Sequence, residues 1–87
     1  MKITVERLSD AVIVQRGIRN WPIWEKEVSE FDWYYDEKEE CLFLEGHVMV
    51  ETSTGKTEFG KGDFVTFPKG LKCVWKVLNP VKKHYRF

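Results

Sequence analysis

Residues 39–46 read Glu-Glu-Cys-Leu-Phe-Leu-Glu-Gly, and this stretch decides the fold class of the chain. Successive side chains of a strand point to opposite faces, so Glu39, Cys41 and Phe43 share one face and the two leucines share the other. Because both faces are largely covered, the stretch predicts a central strand of a β-sheet. The glycine that ends it permits a tight corner.

Similar short apolar runs recur along the chain, and turn residues such as Gly, Pro, Asn and Asp separate them roughly every 8–12 residues. This spacing predicts an all-β sandwich or barrel. The segment Trp24–Phe31 has an apolar spacing that would also suit a helix face, and we predict that it is extended. The other predicted strands are Ile3–Arg7, Ala11–Arg16, Phe31–Tyr35, Glu39–Glu45, His47–Thr52, Lys56–Phe59, Phe64–Phe67, Leu71–Leu78 and Lys82–Arg86.

Length and charge narrow the class of protein further. The 87 residues are enough for one domain, residues 1–87, and the 43% hydrophobic content is enough to form a core. Fourteen basic residues balance fourteen acidic ones, so we expect neither nucleic acid nor a membrane surface as a partner. The first eight residues lack the apolar run of a signal peptide, and the two cysteines lack metal-ribbon spacing. We therefore expect a cytoplasmic protein with reduced thiols.

Two stretches match the spacing of cupin motifs. Glu39, six further residues and Gly46 reproduce the end of the first motif, G-x5-H-x-H-x3-4-E-x6-G. The second motif, G-x5-P-x-G-x2-H-x3-N, is matched in spacing, with Cys73 in place of its histidine. The matching glycines and proline of the second motif are Gly62, Pro68 and Gly70.

The resemblance extends over nearly the whole chain at the level of local sequence. It includes the run Trp-Pro-Ile-Trp-Glu-Lys-Glu-Val-Ser-Glu-Phe-Asp-Trp-Tyr-Tyr-Asp at residues 21–36. The sequence resembles the small single-domain cupins of the ureidoglycine aminohydrolase cupin-domain family. This resemblance implies a cupin jelly-roll barrel (a double-stranded β-helix) with a pocket at one mouth, and frequent homodimers.

The sequence departs from cupins at the positions that usually bind a metal ion. His47 and His84 lie outside the motif positions, so the three-His-plus-Glu set that holds iron, manganese or nickel in many cupins cannot be assembled. Depending on the spacing chosen, the two H-x-H positions are taken by Trp33 and Tyr35 or by Asp32 and Tyr34. Among the residues that match the motifs, only Glu39 and Cys73 could act as metal ligands, and Asp32 or Tyr35 is conceivable as a further one.

Glu39 and Cys73 are the predicted catalytic residues, pointing into one barrel. A carboxylate among aromatic rings is costly unless it is paired or protonated, so Glu39 is an acid–base or hydrogen-bonding candidate. Cys73 is a candidate ligand or nucleophile, or a small buried residue. We expect His47 at the surface, and Lys82 and Lys83 in solvent at the barrel edge. The predicted pocket residues are Trp24, Trp33, Tyr35, Cys41, Phe43, Phe67 and Trp75.

These features support two functional hypotheses. In the first, the barrel binds and transforms a small polar metabolite, with a divalent metal ion as a conceivable cofactor. In the second, the protein is a non-catalytic interaction protein whose own aromatic residues fill the barrel. In either case we expect a homodimer, since pairing would protect the open edge of the N-terminal strand.

Overall fold

The computed structural model describes all 87 residues, and most of them lie in antiparallel β-strands. One short helix, α1, spans Asp10–Gln15, and a single 3-10 turn spans Ile18–Asn20. No helix has the length and apolar character needed to span a membrane. The strands are β1 (Thr4–Glu6), β2 (Ile23–Lys26), β3 (Ser29–Tyr34), β4 (Glu39–Thr52), β5 (Gly55–Gly60), β6 (Phe64–Phe67) and β7 (Lys72–Arg86).

Two long strands, β4 and β7, connect the two halves of the barrel. The first half of β4 pairs with β6 and with the second half of β7, which also pairs with β2. The second half of β4 pairs with β5 and with the first half of β7, which also pairs with β3. Strand β1 completes the first group by pairing with β6. The predicted all-β cupin barrel is confirmed.

The sequence predicted strand ends after Glu45 and after Leu78, but β4 and β7 are continuous there and only the register of their pairing shifts. The pairing of the two strands shifts between Phe43 and Val48, as at a β-bulge, which lets a strand bend without ending. Gly46 lies in this region with φ +99°, and an added Cβ would be only 2.5 Å from the carbonyl oxygen of Pro80. The glycine therefore allows the two backbones to approach closely where they bend.

The main core is built around the indole of Trp75, which is 2% exposed. Its ring packs against those of Trp24, Phe31, Phe43, Phe59 and Phe67, with centroid distances from 5.6 to 6.4 Å. Aromatic pairs of this kind stabilise a core beyond the area they bury. The barrel interior around Trp75 is therefore closely filled.

The predicted strand Ala11–Arg16 is wrong, because residues 10–15 form α1. The Ser9 hydroxyl accepts a hydrogen bond from the backbone N–H of Val12 and caps the helix. Ile13 then packs with Ile18, Leu42 and Phe64 in a second apolar cluster. The continuous apolar run at residues 11–14 shows neither the period of a helix nor that of a strand. The helix cap and this packing therefore decide its conformation. The extended conformation predicted for the Trp24–Phe31 segment is confirmed, as strands β2 and β3.

Candidate functional site

A cavity of about 180 Å³ opens at one mouth of the barrel. Seven of its nine lining residues are aromatic, and the other two are an acid and a base. Trp33 and Phe87 are largely exposed, whereas Tyr35 and Trp75 are almost fully buried. The cavity thus runs from an exposed rim to a buried floor. Its lining residues are Trp24, Phe31, Trp33, Tyr35, Glu39, Trp75, Lys83, Tyr85 and Phe87.

The two charged residues of the cavity form a buried ion pair. The Nζ atom of Lys83 donates to Oε2 of Glu39 at 3.1 Å, and the two side chains are only 5% and 6% exposed. Lys83 also donates to Sγ of Cys41 at 3.2 Å. An ammonium group has three N–H donors, so these two contacts leave one donor for another acceptor.

Aromatic rings surround the ammonium group of Lys83. Its Nζ atom lies 4.9 Å from the ring centroids of both Trp24 and Trp75. The rings of Phe43 and Phe67 lie at 5.8 and 6.0 Å. Ring faces attract a cation, and the attraction is stronger where water is excluded. The rings and the Glu39 carboxylate together stabilise a positive charge at this point.

The alternation of β7 explains why Lys83 points inward. Trp75 and Val77 face the core in the first half of the strand, and Val81 faces it in the second half. Lys83 lies two residues beyond Val81 and therefore shares its face. The expectation that Lys83 is in solvent at the barrel edge is wrong, because the residue is 4% exposed. Its apolar stem packs inside the barrel and its charge is paired there.

The hydroxyl and thiol groups near Glu39 are held in their neutral forms. Burial, reinforced by the Glu39 carboxylate, raises the pKa of Tyr35 well above its usual range. Burial raises the pKa of Cys41 well above its usual range, although the Lys83 ammonium opposes the rise. Burial and the Glu39 carboxylate raise the pKa of Cys73 to about 11. At neutral pH these three groups can act as hydrogen-bond donors but are not ionised nucleophiles.

The predicted site residues fall into three places. Glu39, Trp24, Trp33, Tyr35 and Trp75 line the cavity. Cys41, Phe43 and Phe67 do not line it, but each contacts the Lys83 ammonium in the core. Cys73 is buried and lines a second, wider depression of about 820 Å³, together with Trp33.

Four cavity residues were missed by the sequence interpretation: Phe31, Lys83, Tyr85 and Phe87. Lys83 and Tyr85 lie on the inward face of β7 together with Val81, but the sequence alone does not show that this face continues the one of Trp75 through the bend. Trp75 has a further property that no pattern indicated, since its buried Nε1 has no hydrogen-bond acceptor.

The residues present do not fit the metal ion that cupin barrels commonly hold. No group of three His, Cys, Asp or Glu side chains converges anywhere in the structure. His47, at the surface as predicted, bonds Glu58, and Nδ1 of His84 donates to the backbone carbonyl of Trp21. Glu39, the motif-matched ligand, is paired with the Lys83 ammonium instead. The cation in this barrel is therefore a side chain of the protein.

The fold and the motif spacing agree with comparisons to known proteins. A family model described as the EutQ-like cupin domain matches residues 14–85. A DUF861 family protein from Thermotoga maritima is 54% identical, with 99% of each chain covered and a TM-score of 0.96. No curated protein sequence matches the chain significantly.

More distant structures share the fold alone. The EutQ protein of Clostridium difficile is 22% identical with a TM-score of 0.67, and the match covers 72% of this chain and 50% of that protein. A putative ethanolamine utilization protein Q from Salmonella typhimurium is 19% identical with a TM-score of 0.66. That match covers 98% of this chain and 68% of the Salmonella protein. The common element is the cupin barrel.

Proposed function

Because the chain belongs to the EutQ-like cupin domains, we propose that it binds a small polar metabolite in the aromatic cavity, beside the Glu39–Lys83 ion pair. The resemblance to the ureidoglycine aminohydrolase cupin domain supports a ligand of this class. The binding step needs no metal ion, since the charged groups of the cavity already complement one another.

The observation that carries this proposal is a buried ion pair placed at a cavity. Removing two charges from water is expensive, and a well-packed apolar pair is often as stable or more stable. A barrel that needed only packing could use apolar residues at both positions. Here Glu39 and Lys83 instead line an open cavity, and one ammonium N–H remains without an acceptor. That donor is available to a polar group of a ligand.

The size and lining of the cavity define the ligand class. Its volume of about 180 Å³ lies below the roughly 300–1,000 Å³ of sites for drug-sized molecules. Seven aromatic side chains favour a flat ligand that can stack on a ring. The ion pair has no net charge, so an additional unpaired charge in the cavity would be costly. The proposed ligand is therefore a small, flat molecule with a polar group and no net charge.

The four tryptophans provide a site-resolved test. Three of them, Trp24, Trp33 and Trp75, line the cavity, whereas Trp21 packs on Phe64 in the second cluster. Indole N–H resonances in two-dimensional NMR should be followed while neutral flat metabolites and simple probes such as benzyl alcohol and benzamide are added. Binding in the cavity should shift the first three resonances saturably and leave that of Trp21 in place.

Glu39→Gln is the matched variant, because it preserves shape while removing the carboxylate that positions Lys83. It should fold and bind the same probes more weakly. If no molecule of the set shifts the three cavity indoles saturably, the binding proposal is wrong. The interaction-protein hypothesis, which rests on the closely filled interior around Trp75, would then be favoured.

A further inference from the structure

We propose that Lys83 is a nucleophile that forms an imine with a small, flat aldehyde or ketone in the aromatic cavity, and that Glu39 transfers the protons of this reaction. This inference rests on the proposed ligand site and adds a covalent step to it. It assigns a reaction class to the two charged residues of the cavity.

The ion pair has the geometry of a nucleophile beside its base. A nucleophilic side chain is recognised by a base within hydrogen-bond reach. Nζ of Lys83 and Oε2 of Glu39 are 3.1 Å apart, and both residues line the cavity in which a substrate would bind. Transfer of one proton along this hydrogen bond converts ammonium and carboxylate into amine and carboxylic acid. The net charge of the cavity does not change, so the transfer needs no external ion.

The reaction balances with the groups that the cavity and the substrate supply. The lone pair of the neutral Lys83 amine attacks the carbonyl carbon, and the carbonyl π electrons move to oxygen, which takes the proton held by Glu39. The resulting carbinolamine loses its hydroxyl as water, with proton transfers through Glu39, while the nitrogen lone pair forms the C=N bond. Ammonium and carbonyl become iminium and water, and Glu39 ends as a carboxylate. No oxidant or reductant is consumed.

The surroundings of Nζ suit the iminium product as well as the ammonium reactant. The iminium nitrogen carries the same positive charge as the ammonium it replaces. The rings of Trp24 and Trp75, both 4.9 Å from Nζ, and the Glu39 carboxylate would stabilise that charge too. The apolar walls also limit access of water, which protects a reactive intermediate from hydrolysis.

The substrate class follows from the same cavity. Seven aromatic side chains and a net-neutral ion pair favour an uncharged carbonyl compound attached to a flat, conjugated body. Benzaldehyde has this chemistry and serves as the probe. Benzyl alcohol has nearly the same shape but no carbonyl carbon, so it can occupy the cavity without reacting.

Lys83 is the only lysine that the structure buries, and this makes the experiment selective. Wild-type protein should be incubated with benzaldehyde and sodium cyanoborohydride, which reduces an imine to a stable amine. Peptide mapping by mass spectrometry then locates each benzyl adduct. We expect the adduct at Lys83 to form at least about 10-fold faster than at the half-buried Lys82, and benzyl alcohol to slow it by competition.

Three variants separate the roles of the residues. Lys83→Arg keeps the positive charge and should lose the fast adduct. Lys82→Arg removes the neighbouring amine and should leave the fast adduct unchanged. Glu39→Gln leaves the Lys83 amine in place but should slow its modification by about 100-fold, a usual scale of general acid–base catalysis. This loss of rate should exceed the loss of benzyl alcohol binding in the same variant, which a merely structural role of Glu39 would not explain.

The outcomes distinguish the imine proposal from the binding proposal. If the indoles of Trp24, Trp33 and Trp75 respond to benzyl alcohol but Lys83 is modified no faster than Lys82, the imine proposal is wrong and ligand binding stands. If neither response occurs, both proposals are wrong. Selective modification of wild-type Lys83 supports the proposal even if Lys83→Arg does not fold, since the mapping is done on the unaltered chain.

Discussion

The ammonium of Lys83 lies 3.1 Å from the carboxylate of Glu39, although each side chain is about 95% removed from solvent. The two residues are far apart in sequence and meet because β4 and β7 pair through the centre of the barrel. Such a pair contributes little net stability compared with apolar residues, yet loss of one member leaves the other charge buried without its partner. The pair therefore imposes strong coupling between the two positions on which the proposed function also depends.

We predict that replacing one member of this pair by an apolar residue lowers the stability of the fold much more than replacing both members together. Lys83→Met or Glu39→Leu should each lower the free energy of unfolding by about 3–5 kcal/mol, because one buried charge loses its partner. The double variant should recover most of that loss. Denaturant unfolding of the wild type, both single variants and the double variant gives the coupling free energy.

The surface pair His47–Glu58 provides the control for this cycle. Its distance of 3.1 Å matches that of the buried pair, but its side chains are 42% and 58% exposed. Glu58→Gln should therefore change the free energy of unfolding by less than about 1 kcal/mol. If the double variant Glu39→Leu/Lys83→Met is as unstable as the sum of its single variants, the two buried charges are not coupled as the structure indicates.

The second prediction concerns the close approach of β4 and β7. Gly46→Ala places a Cβ 2.5 Å from the carbonyl oxygen of Pro80 and also requires an unfavourable positive φ. It should lower the free energy of unfolding by about 2–5 kcal/mol. Gly17→Ala also has a positive φ, but its added Cβ meets nothing within 4 Å, so about 1–2 kcal/mol is expected. Equal thermal or denaturant midpoints for the two variants would contradict the steric argument.

The sequence predicted the all-β class from the spacing of its turns, the central strand from the two covered faces of residues 39–45, and the inward direction of Glu39 from the register of the cupin motif. It did not predict Lys83, since Lys82, Lys83 and His84 together form a polar run typical of a solvated edge. Recognising the buried lysine required continuing the inward face of Trp75 and Val77 past the irregular pairing near Asn79. Where a strand bends at a bulge, only the paired backbone shows whether the alternation continues.

The third prediction is that the protein forms a homodimer through the open edge of β1. This strand pairs with β6 on one side and leaves its other edge uncovered, with Val5 40% exposed. Such edges readily pair with a second chain. Sedimentation equilibrium at micromolar concentration should give the mass of two chains, and Val5→Glu should shift it toward one. A monomer for the wild type at that concentration would contradict this prediction.

The last prediction concerns alkaline pH, because the buried thiol of Cys73 has a pKa raised to about 11 while an unfolded thiol titrates near its ordinary value of 9.0. Between these two values the folded chain keeps a proton that the unfolded chain has released. The free energy of unfolding therefore contains a favourable contribution that is fully present below pH 9.0 and is lost as the pH rises through about 11.

Denaturant unfolding measured across this range should show falling stability, and Cys73→Ala should reduce the slope. The slope should not vanish in that variant, since burial raises the pKa values of Cys41 and Tyr35 in the same direction. An unchanged slope in Cys73→Ala would mean that the Cys73 thiol reaches solvent more readily than its burial beside Glu39 implies.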